Sequence, residues 1–165
     1  MTSTTVTAVN RSQYQPNPAN GPQTEPLPLD VVRQRIADLA PDRDSYGGDP
    51  PTSVARTEAI RWAEIVADLF EPRVGSAARP YSVAPLADGG VQIEWRGTQG
   101  LVELEVGPDG ALGYLFVPIE ANGSQSDETD DASWSDVLRA LLRAFVSQTT
   151  GPLMDGFPDD ELICR

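Results

Sequence analysis

The stretch "VQIEWRGTQGLVELEVGPDGALGYLFV", residues 91–117, alternates apolar and polar side chains through three runs, with turn formers between them. A period of two is the signature of strands that bury one face. A loop centred on Thr98 and Gln99 sets Trp95 opposite Val102, Ile93 opposite Leu104 and Val91 opposite Val106. "GPDG" at 107–110 suits a type I turn with proline in second place, and it sets Val106 against Leu112, Leu104 against Tyr114 and Val102 against Phe116. Both turns gather the large apolar residues on one face, and a slip of one residue would turn them all to water. "YSVAPL" at 81–86 predicts a preceding strand, which Pro85 confines to an edge or a strand end. The expectation is an antiparallel β-meander of about four strands.

Helical spacing brackets this sheet. Leu29, Val32, Ile36 and Leu39 predict a helix over 29–39, ahead of Pro41. A second helix is expected over 53–70, with Ile60, Ala63, Val66 and Phe70 on one stripe, Trp62, Ile65 and Leu69 widening it, and Pro72 closing it. Ser133, with Asp136 three residues on, is an N-cap for a third helix through Trp134, Val137, Leu138, Leu141, Leu142 and Phe145. Periodicity places Trp62, Trp95 and Trp134 in the core. "PDRDSYGGDPPT" at 41–52 and "SQSDETDD" at 124–131 read as loops. A sheet with one apolar face and about three helices that each need a partner gives an α+β fold with the helices packed on one face. Residues 1–26 and 151–165 are expected to be tails, flanking a single α+β domain at 27–150.

Charge narrows the function classes. The chain has 25 acidic and 12 basic residues, a net charge of −13, and every basic residue is arginine. Such a surface repels a phosphate backbone, so binding nucleic acid by direct phosphate contact is not expected; the expected partner is another protein, and an acidic chain can attach to a basic one or imitate a phosphate chain. Cys164 is the sole cysteine and there is no histidine, which excludes a four-ligand Cys/His zinc site and any nucleophile that needs an imidazole base. No catalytic residue, metal ligand or cofactor is assigned. Without a leader-like N-terminus or an apolar run of about 18 residues, a cytoplasmic, membrane-free protein is expected.

The register that buries Trp95 turns Gln92, Glu94 and Arg96 to the other face, with Glu94 opposite Glu103 and Glu105 one pleat along. Close carboxylates of this kind can bind a hard cation or share a proton. The favoured reading is the plainer one, a solvated face on which Arg96, diagonal to Glu103, offsets part of the repulsion. Leu101, Leu115 and Val117 share that face, which makes it a candidate partner surface together with Glu94, Arg96, Glu103 and Glu105. Asp44 and Tyr46 in the glycine-rich loop are further recognition candidates. Asp42, Asp44 and Asp49 do not meet the spacing of a calcium loop.

"DRDSYGGDPPT" at 42–52, "AIRWA" at 59–63, "PLADGGVQIEW" at 85–95 and "LVELEVGPDGALGYLFV" at 101–117 resemble a widespread, uncharacterised group of small bacterial proteins. That group has a W-D-x-Y-G-A-x-P-P-like loop before a helix and a D-G-G-[VI]-x-[LI]-E-W hairpin after it. The resemblance spans about residues 36–118; Arg43 stands where the pattern has tryptophan, and "SVAR" lengthens the join to the helix. It implies a fold and brings no activity with it. The expected function is a small, acidic, non-catalytic interaction or accessory protein, such as an antitoxin-like or immunity-like neutraliser of a basic partner. The alternative is a divalent-metal-dependent hydrolase built on the sheet carboxylates.

Overall fold

The computed structural model describes residues 25–40, 48–119 and 126–146. Helix α1 (Leu29–Asp38) and the longer α2 (Ser53–Val74) come first, and a 3-10 turn (Gly75–Ala78) leads into the sheet. Strands β1 (Ser82–Pro85), β2 (Val91–Arg96), β3 (Gly100–Val106), β4 (Leu112–Pro118) and β5 (Asp127–Thr129) follow in chain order, and α3 (Trp134–Phe145) comes last. The sheet is an antiparallel meander in the order β1-β2-β3-β4-β5. Its central registers are those the alternation predicts: Trp95 pairs with Val102, Ile93 with Leu104, and Leu104 in turn with Tyr114. The fifth strand is the addition. Thr129, Glu128 and Asp127 pair with Tyr114, Leu115 and Phe116. These three residues lie in an acidic stretch without an apolar alternation, so the edge of β4 recruits a strand that periodicity does not mark.

The three described helices cover one face of the sheet. Val91, Ile93, Trp95, Val102, Leu104 and Val106 are fully buried there, together with Val32, Ile36, Trp62, Val66, Val137 and Leu141 from the helices. The Trp95 indole N–H donates to the Ala78 carbonyl at 3.1 Å, so the largest sheet residue is buried with its polar atom satisfied. Arg56 ties α1 to α2. Its guanidinium donates to the carbonyls of Ile36 (2.9 Å), Leu39 (2.7 Å) and Ala37, and its Nε to Pro51 at 3.1 Å. The orphan carbonyls at the C-terminus of α1 are thereby satisfied by a cation. At the other end of the layer, the Gln99 N–H donates to the Ala144 carbonyl in the last turn of α3 at 2.9 Å. Gly97 permits that approach, because a Cβ there would lie 2.1 Å from the Ala144 oxygen.

Three local expectations are corrected. Pro72 does not close α2; it lies inside the last turn, and the helix ends at Gly75, whose φ of 62° suits a residue without a Cβ. Leu69, assigned to the buried stripe, is 47% exposed, since the stripe that meets the sheet runs through Trp62, Val66 and Phe70. Trp134 is not core either: it is 39% exposed, and its ring stacks on the buried Trp62 at a centroid distance of 4.0 Å, with Arg61 5.5 Å from its centroid. As the first residue of α3 it lies at the rim of the layer. The capping box does form, with Ser133 and Asp136 bonded reciprocally. The expected tails lie outside the described residues except for Glu25 and Pro26.

Candidate functional site

The face of the sheet opposite the helices carries the candidate residues, which the pleat sorts by register. Glu94 pairs with Glu103 and Gln92 with Glu105 across β2 and β3; Glu103 then pairs with Leu115, and Leu101 with Val117, across β3 and β4. Six of the candidates, Glu94, Arg96, Leu101, Glu103, Leu115 and Val117, thus occupy one contiguous area, and Glu105 extends it along β3. Asp44 and Tyr46 lie outside the described residues.

The carboxylates do not form a wet face. Glu94 is only 4% exposed and Gln92 only 8%, both in a strand flanked on each side by another. The Gln92 side-chain nitrogen donates to Glu94 at 3.1 Å and to Glu103 at 3.2 Å, so one amide bridges two carboxyl groups that face each other across the strands. Glu94 is also hydrogen-bonded by the Tyr81 hydroxyl. Burial, then that hydrogen bond and the charge of Glu94, hold the phenol well above its ordinary range. Glu103 is half-buried, and its carboxyl is pushed up to about 7, first by loss of solvent and then by the charges of Glu94 and Glu105. Arg96 does not offset this repulsion as the diagonal placement suggests. Among the described residues no ion pair joins it to Glu103; its guanidinium lies 5.1 Å from the centroid of the Tyr81 ring, a cation–π contact. The donors that the cluster shows are neutral ones: the Gln92 amide to Glu94 and Glu103, and the Tyr81 hydroxyl to Glu94.

Beyond Glu103 the face becomes apolar. Leu101 and Leu115 are partly exposed, Val117 is 39% exposed, and Ile119, two residues further along β4's alternation, is 57% exposed. Ile119, Gln92 and Tyr81 are absent from the candidates drawn from the sequence. Continuing the alternation past Pro118 would have added Ile119, and the i+2 spacing of Gln92 to Glu94 would have added the amide. The sequence places Tyr81 at the start of the predicted strand 81–86 but does not mark its contact with Glu94, which it makes from the residue before β1.

A cleft of about 570 Å³ opens at the turn end of the sheet, lined by Leu86, Asp88, Glu105, Pro108, Asp109 and Asp130 among others. Two of its carboxylates serve the turns: Asp88 accepts from the Gly90 N–H and Asp109 from the Ala111 N–H, each at 3.0 Å. Among the described residues no group of three or more Asp, Glu, Cys or His side chains could hold a metal ion, and no helix is long and apolar enough to cross a membrane. Comparison with protein-family models, with curated proteins and with solved structures finds no match to this chain. No family is assigned to the chain, and the reading of function rests on the chemistry of this face.

Proposed function

We propose that the chain is a non-catalytic protein-binding module that docks a basic, partly apolar segment of another protein on the face of its sheet opposite the three described helices. The observation that carries this reading is the row Leu101, Leu115, Val117 and Ile119, partly or largely exposed beside the Glu94–Gln92–Glu103 cluster. Exposed apolar patches rimmed by polar groups mark interaction sites, and the helices already occupy the only face the core needs. The carboxylates select the partner's sign. A second copy docking face to face would oppose Glu103 and Glu105 to their own equivalents at −13 per chain, which favours a basic partner over self-association. An antitoxin-like or immunity-like neutraliser, in which an acidic face covers a basic surface, fits these features. The cluster supports a binding role better than metal hydrolysis, because Glu94 and Glu103 are turned onto one amide nitrogen rather than onto a shared vacant point.

Photo-crosslinking in cells tests the proposal. A benzophenone amino acid at Val117 should give one discrete adduct that does not form in the Leu101→Asp variant, nor in lysate brought to high salt before irradiation. The same group at Leu69, exposed on the helix layer, should not give it. Equal adducts from both positions, or none from Val117, would contradict the docking reading.

A further inference from the structure

Glu103 lies where the acidic and the apolar halves of the face meet. On its β2 side are Glu94, Gln92 and Arg96, with Tyr81 beyond Glu94; on its own strand is Glu105; on its β4 side is Leu115, followed by Glu128 on β5. Among the described residues its partner is the Gln92 amide, which it shares with the buried Glu94, and no ion pair reaches it. Glu103 also retains partial exposure where Glu94 does not, so it is the member of the pair that an incoming group can touch. We propose that docking on this face is proton-linked: an arginine or lysine of the partner seats against Glu103 and displaces a proton that the free protein holds there.

The inference rests on the docking reading and adds its regulation. In the free protein Glu103 faces Glu94 across the strands and meets it through the Gln92 amide, and holding a proton on the more accessible of the two removes a like-charge contact. A partner cation supplies the missing counter-charge. The Glu103 O–H bond then breaks, the proton leaves to solvent, and the carboxylate pairs with the guanidinium or ammonium group. The elevated titration of Glu103 places this exchange near neutral pH, where ordinary carboxylates are already ionised. Docking is therefore tightest above neutrality and weakens in mild acid.

The test uses the full chain and an amidated helical peptide with leucine and arginine along one stripe. Calorimetry at pH 8 and pH 5.5 should show binding about tenfold weaker at the lower pH. At pH 6.5, two buffers of different ionisation enthalpy should report release of a fraction of a proton on binding. Glu103→Gln should abolish the pH dependence. Equal wild-type affinity at both pH values, or no proton release, would overturn the linkage while leaving the docking face intact. No binding at either pH would contradict the docking reading and the linkage with it.

Discussion

Replacing Glu103 by glutamine changes stability by an amount that depends on pH, and the structure sets both the sign and the size. In the folded chain this carboxyl titrates at about 7 rather than 4.5. The folded state therefore binds the proton more tightly than the unfolded state. The associated stability is fully present below the unfolded value and is lost as pH rises through the folded one. For a fully desolvated group the difference would correspond to roughly 3 kcal/mol, at about 1.4 kcal/mol per tenfold. Glu103 is only half-buried, and solvent screening reduces this to about 1–2 kcal/mol. Glu103→Gln keeps an acceptor for Gln92 and removes the titration. Urea unfolding of both proteins at pH 4.5, 6, 7 and 8 should give equal stabilities at the lowest pH and a variant more stable by about 1–2 kcal/mol at the highest. Comparing the pair cancels the self-repulsion of the other acidic residues. A gap that stays constant with pH, or a wild type that gains on the variant as pH rises, would refute the reasoning.

Other consequences concern the scaffold. Trp95→Ala should cost about 3–5 kcal/mol in denaturant melts, since it empties the centre of the apolar face and leaves the Ala78 carbonyl without its donor. Gly97→Ala should cost about 2–3 kcal/mol, because the new methyl meets the Ala144 carbonyl of α3; hydrogen exchange should localise the loosening to that helix end. Arg56→Met should cost about 2–3 kcal/mol and raise exchange across α1 first. Arg56→Lys should recover less than half of it, since an ammonium cannot span the Ile36, Leu39 and Pro51 carbonyls together.

The parts of the fold that were legible in the sequence are those where burial is one-sided. Strands β2, β3 and β4 each set large apolar residues against a polar face, so their register follows from the pleat and the lengths of two turns. β5 was not legible because its three residues, Asp127, Glu128 and Thr129, pair through the backbone and bury almost nothing. Trp134 and Leu69 were misread for a related reason: helical periodicity shows which residues share a stripe but not how far the neighbouring layer extends over it. Pro72 was taken for a stop, yet a proline in the last turn removes a single hydrogen bond, and α2 runs two residues further before Gly75 ends it.

The candidate site divides in the same way. Register alone brings Glu94 opposite Glu103 and places Leu101, Leu115 and Val117 on the same face, and the structure shows that arrangement. Period two says which face a side chain takes, not how well the neighbours cover it, so the burial of Glu94 was invisible. Its covering depends on Gln92, which reads as ordinary surface polarity in the sequence, and on Tyr81, which approaches from outside the strand proper. The role given to Arg96 failed because an aromatic ring outcompeted a diagonal carboxylate for its guanidinium.

The central claim is that the sheet face opposite the described helices, rather than the helix layer, receives the partner. Methyl NMR of the full chain at pH 8, titrated with the leucine–arginine peptide, addresses it residue by residue. Saturable shifts confined to Leu101, Leu115, Val117 and Ile119 are the predicted result, with Val54 and Leu69, exposed on α2, unmoved. Shifts that centre on Val54 and Leu69, or that leave the four sheet residues unchanged while the peptide binds, would contradict it.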